Sequence, residues 1–86
     1  MNTTQIRTMT RDFILKEFLP GERPENLTDS TELISGGILD SLATLKLVTY
    51  LEKSCGIEIA PDELVPENLN SIGHIADFVQ SKQAST

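Results

Sequence analysis

The sequence predicts an all-α fold, a small four-helix bundle of three main helices and one short helix, with a long loop between helices 1 and 2. Three observations support this. Apolar residues recur at helical spacing in three separate stretches, a capping residue opens each stretch, and the one extended run, Ile57-Glu58-Ile59, is too short to make a sheet alone. The 86 residues suit a single domain, 1–86, with an ordered core at about 4–80 and a flexible polar tail at 81–86.

Thr3 or Thr4 can cap the first helix. Ile6, Met9 and Phe13 recur at helical spacing, and Ile14 and Phe18 widen the stripe. Arg7, Arg11 and Lys16 lie off its centre. The helix runs to about Leu19, where Pro20-Gly21 stops it. From Gly21 to Leu39 no periodicity is sustained, and a loop of that length in a small domain is often functional. Leu27, Leu33, Ile34, Ile38 and Leu39 are spaced to pin it to the core.

Asp40 is a good N-cap for the second helix, and Gly56 is a natural residue to end it. Steps of about 100° per residue assign Leu45, Leu47, Val48 and Leu51 to the core side. Leu42, Lys46 and Thr49 fall on the opposite side, with Tyr50 at the margin. Pro66-Glu67-Asn68-Leu69 suits one short helical turn with proline near its start. Ser71 caps a last helix carrying Ile72, Ile75, Ala76 and Val79, with Phe78 beside them.

Composition excludes several functions. A formal charge of −6 disfavours nucleic acid and anionic membrane surfaces as partners. One cysteine closes no internal disulfide, and with a single histidine it makes no zinc site without acidic help, so no metal site is expected. No apolar run approaches the ~20 residues of a membrane span, and no apolar signal core opens the chain. The expectation is a monomeric cytoplasmic protein. At this size a core and a walled cleft rarely coexist, which favours a binding or carrier module over an enzyme.

No catalytic constellation stands up. A Ser–His–Asp set would need Ser41 and His74, which is far along the chain, so His74 reads as a partly exposed helix residue. Cys55 lies at the far end of the second helix, ~20 Å from Ser41 at helical rise, and reads as a small semi-buried apolar residue. Asp62 and Glu63 read as a solvated turn. The informative stretch is Gly36-Gly37-Ile38-Leu39-Asp40-Ser41-Leu42. Because Asp40 already supplies the cap, Ser41 is not needed as one. The free N–H groups and positive dipole end of the helix suit a phosphate attached to its hydroxyl.

Asp40-Ser41-Leu42, the helix Leu45–Glu52, Gly56-Ile57-Glu58-Ile59, Asp62-Glu63-Leu64, Glu67–Ile72 and Ile75–Val79 occur in this order, with Asp29–Leu33 upstream. In that ordered set the chain resembles the acyl carrier and peptidyl carrier protein family. The resemblance implies that Ser41, within the motif begun by Asp40, receives 4′-phosphopantetheine from coenzyme A through a separate phosphopantetheinyl transferase. The arm's thiol then carries acyl or aminoacyl groups as thioesters, and the protein itself is not an enzyme.

The second helix departs from the strongly acidic pattern typical of fatty-acid carriers. Asp40 and Glu52 are its only acids, and Lys46 and Lys53 offset them. That points to a specialised biosynthetic pathway, an acyl- or aminoacyl-adenylating ligase as loading partner, and downstream acyl-processing enzymes reading Leu42, Lys46 and Thr49. The Gly36-Gly37 pair leans toward peptidyl carriers. The alternatives are an ordinary fatty-acid carrier with a drifted surface, or an unmodified acidic helical interaction module.

Overall fold

The computed structural model describes residues 2–84. Its helices are α1 (Thr3–Phe18), α2 (Ser41–Cys55), α3 (Pro66–Leu69) and α4 (Ile72–Ala84), with 3-10 turns at Pro24–Asn26 and Pro61–Glu63. No strand occurs among the described residues. Three main helices and one short one, with the long loop between α1 and α2, match the predicted bundle.

The start of α1 differs from expectation. Asn2, not Thr3 or Thr4, is the N-cap. Its side chain accepts from the Gln5 amide, and the Gln5 side chain accepts from the Asn2 amide, which completes a reciprocal capping box. The centre of the buried face is also shifted. Ile6, Thr10 and Ile14, four residues apart, are fully buried, while Met9, Phe13 and Phe18 pack from the margin. Thr10 interrupts the apolar pattern, and its Oγ1 is buried with no hydrogen-bond partner among the described residues.

The core is one apolar cluster in which α1 packs most extensively on α4. Ile6 and Ile14 join Leu47, Leu51, Ile72, Ile75, Ala76 and Val79 there, and Leu27, Leu33 and Leu39 enter it from the long loop as their spacing suggested. Phe13 stacks on Tyr50 with ring centres 4.1 Å apart, which joins α1 to the margin of α2. Arg7 and Arg11 do more than solvate α1. Both pair with Asp29, Arg11 Nε donates to the Leu27 carbonyl, and the Asp29 carbonyl accepts the Gly73 amide at the start of α4.

One further expectation is corrected, and it concerns Leu45. The polar segment from Ser81 is helical through Ala84. Lys82 pairs with Glu63 at 2.8 Å and Gln83 donates to the Cys55 carbonyl, so side chains from α4 hold the last turn against its neighbours. Residues 85 and 86 lie outside the described residues. Leu45 is not a core residue: it is 52% exposed. On the helical wheel it stands about 60° from both Leu42 and Val48, and no element covers that margin.

Candidate functional site

The loop before α2 is held by backbone geometry first. Leu33 turns its carbonyl toward the amides of both Ile38 and Leu39, each at 2.9 Å, and Gly37 donates to Ile34 across the turn. Gly37 has φ +81, which glycine adopts without strain, and at Gly36 a Cβ would lie 2.3 Å from the Glu32 carbonyl oxygen. The Gly36-Gly37 pair is therefore required to bring the chain back to Asp40.

Asp40 then takes the extended conformation of an N-cap. Its Oδ1 accepts the Ala43 amide at 2.8 Å, and its carbonyl accepts both the amide and the hydroxyl of Thr44. This cap contributes about 0.5–2 kcal/mol to helix stability. Ser41 is the first helical residue and is exposed, so its hydroxyl faces solvent at the positive end of the helix. The Ser41 and Leu42 amides have no acceptor among the described residues. An open cleft of ≈ 520 Å³ adjoins the serine, lined by Ile34, Leu39, Thr44, Leu45, Leu64 and Pro66 as well as Asp40 and Ser41.

The outer face of α2 presents Leu42, 64% exposed, with Leu45, Lys46 and Thr49. Thr49 spends its hydroxyl on the Leu45 carbonyl at 2.9 Å. Leu42, Lys46 and Thr49 are thus exposed as the wheel places them, and Leu45 adds a second large apolar side chain. Leu45 separates the cleft beside Ser41 from a shallower groove lined by Phe13, Glu17, Lys46 and Thr49.

The other reactive side chains are engaged elsewhere. His74 Nδ1 lies 2.6 Å from the Ser71 hydroxyl, which also accepts the His74 amide as the cap of α4. That histidine ring therefore serves a helix start built by Ser71 rather than Ser41. Burial pushes the Cys55 thiol up, so thiolate is scarcer there than at a free cysteine. Glu63 is held below its ordinary range by the hydrogen bond from Lys82 and the Ala60 amide, as a structural acid. Among the described residues no cluster of three or more metal-ligating side chains occurs, and no helix is long and apolar enough to cross a membrane.

Ser41 is thus an exposed serine at a capped helix opening with a largely apolar cleft beside it. Residues 14–79 match the family described as the phosphopantetheine attachment site. The chain belongs to that family. No curated protein matches it in sequence. As a phosphopantetheine-attachment protein it is a carrier whose cofactor is covalent 4′-phosphopantetheine, and such carriers work with phosphopantetheinyl transferases and acyl-processing enzymes.

The residues present fit that group. An accessible hydroxyl stands beside two first-turn amides without acceptors, which suit a phosphodiester, and the cleft offers apolar wall to a flexible arm. One residue that holds the loop before α2 carries no role that the sequence displays. Asn70, between α3 and α4, bonds the loop at 33–35 through its main chain and side chain. The motif around Ser41 contains no sign of it, because the side-chain bonds span 35 or 36 positions of chain.

Proposed function

We propose that Ser41 is the residue that carries 4′-phosphopantetheine, and that the protein shuttles acyl or aminoacyl groups as thioesters on that arm. The observation that carries this reading is the exposed Ser41 hydroxyl at the capped start of α2, beside the apolar cleft. In the transfer, the Ser41 oxygen forms a new bond to phosphorus and the pyrophosphate link of coenzyme A breaks. The nucleotide half leaves, and the hydroxyl proton passes to a base on the transferase. Asp40 keeps the serine at the first helical position, and the positive end of α2 stabilises the diester's negative charge. The bound arm supplies the thiol, so this chain contributes the address and the docking surface and performs no catalysis of its own.

The face of Leu42, Lys46 and Thr49 serves as the partner surface in this reading. Its charge is nearly balanced along α2, which suits a dedicated adenylating ligase of a specialised pathway better than partners selecting a strongly acidic helix. A monomer working in the cytoplasm meets these requirements.

The test is intact mass after incubation with coenzyme A and a broad-specificity phosphopantetheinyl transferase. Wild type gains one arm and Ser41→Ala gains none, while both keep the same helical circular dichroism. A Ser41→Ala protein that still gains the arm overturns the assignment. A wild-type protein that never gains it marks an unmodified interaction module instead.

A further inference from the structure

Asn70 is the residue through which the junction of α3 and α4 grips the segment leading to Ser41. Its Oδ1 accepts two consecutive amides, Ile34 and Ser35, each at 2.9 Å. Its Nδ2 donates to the Ser35 hydroxyl at 3.0 Å, and its carbonyl accepts the Leu33 amide at 2.7 Å. Four hydrogen bonds from one residue thus meet three successive loop residues.

We propose that Asn70 is a positioning residue for phosphopantetheine transfer, acting through the 33–39 segment on Ser41. The inference rests on the reading of Ser41 as the attachment residue. Its path is short. Leu33, held by Asn70, directs its carbonyl at Ile38 and Leu39, and Leu39 is the residue before the Asp40 cap. Ile34, held by Asn70 Oδ1, is also a wall of the cleft beside Ser41. The same amide oxygen therefore sets where the chain enters α2 and where one wall of the cleft stands. Both bear on how the hydroxyl meets the transferase's bound coenzyme A.

The chemistry of the side chain is specific. An acceptor is needed for the two amides, and aspartate supplies one while its second oxygen accepts from the Ser35 hydroxyl. Leucine has a similar size and no acceptor, and it leaves the Ile34 and Ser35 amides to seek other partners. The bond from Leu33 uses the main chain of Asn70 and survives either substitution, so the helices retain their anchor, and only in the leucine variant does the turn at 34–37 lose its own.

The experiment measures transferase kcat and KM with coenzyme A on wild type, Asn70→Asp, Asn70→Leu and Ile57→Val. The last trims the core next to Gly56, beyond the far end of α2. All are assayed at a temperature where circular dichroism shows each folded, with the modified residue mapped by peptide mass. In Asn70→Leu, kcat falls about tenfold because the hydroxyl is misplaced, while KM changes little because the α2 face is untouched. Asn70→Asp stays within about twofold of wild type, and Ile57→Val, which relaxes the core without touching the loop, keeps the wild-type kcat. If the leucine variant does not fold, Asn70→Ser, too short to reach both amides, shows the same selective kcat loss. A wild-type kcat in the Asn70→Leu or Asn70→Ser variant, or an equal loss in Ile57→Val, overturns the inference and leaves Ser41 standing. An arm mapped to another residue overturns the Ser41 reading itself, and this inference with it.

Discussion

Two regions of this bundle treat leucine and isoleucine in opposite ways. Where α1 meets α4, Ile6, Ile14, Ile72, Ile75 and Val79 are fully buried, and Arg7, Arg11 and Asp29 tie the adjoining loop across the outside. At the opening of α2, Leu42 and Leu45 stand out in solvent beside Ser41. In a chain of 86 residues with a thin core, two large apolar side chains left more than half exposed at one place contribute little to burial. The α1–α4 contact is the most extensive in the molecule, while the α2 opening leaves both leucines largely exposed.

Substitutions at matched positions sharpen the contrast. The largest effect belongs to Ile75→Ala, which opens a cavity in the core on the buried side of α4 and costs about 2–5 kcal/mol. By contrast Leu45→Ala, at a similar apolar residue, changes stability by no more than about 0.5 kcal/mol. Urea denaturation of both proteins checks this. Equal losses would mean that the α2 opening also carries the fold.

A second substitution probes a flaw on the buried face of α1. Thr10 buries its hydroxyl without a partner, so Thr10→Val removes an unsatisfied group at nearly constant volume. The expected result is a gain of about 1 kcal/mol and a higher thermal midpoint. A loss of stability would show that the hydroxyl has a role in packing α1 that its surroundings do not reveal.

The smallest effect on stability, and the most informative for the partner surface, belongs to Lys46→Glu. Reversing one exposed charge shifts stability by less than about 0.5 kcal/mol. It makes α2 more acidic, so on the reading proposed above loading by an adenylating ligase slows while recognition by fatty-acid synthesis enzymes improves. Both effects shrink as salt screens the charge. Loading kinetics at low and high salt, for both proteins and both partner sets, decide the matter. Equal rates throughout would mean this face is not read, and an ordinary fatty-acid carrier would become the better description.

Local chemistry made much of this legible before any coordinates. Asp40 as a cap, Gly56 as a left-handed terminator, Ser71 as a cap and Pro66 at a helix start all act within four residues of their own position, so the sequence displays them. Asn2 was missed by one residue because three candidate caps stand side by side, and only the reciprocal bond with Gln5 distinguishes them. Leu45 was misplaced for a different reason. Periodicity says which residues share a side, but not how far the neighbouring helices extend over it.

Residue order alone established the helical class, the long loop with its apolar pins, and a serine set just inside a capped helix. These follow from interactions over one or two turns and from the alternation of apolar with polar side chains. Tertiary structure alone decided that Asn70 grips residues 33–35, that Asp29 is shared by two arginines of α1, that Lys82 finds Glu63, and that Leu45 stays in water. Each of these depends on which groups folding brings within hydrogen-bond or van der Waals reach across 18 or more positions of chain, or leaves uncovered, and no local pattern encodes that distance.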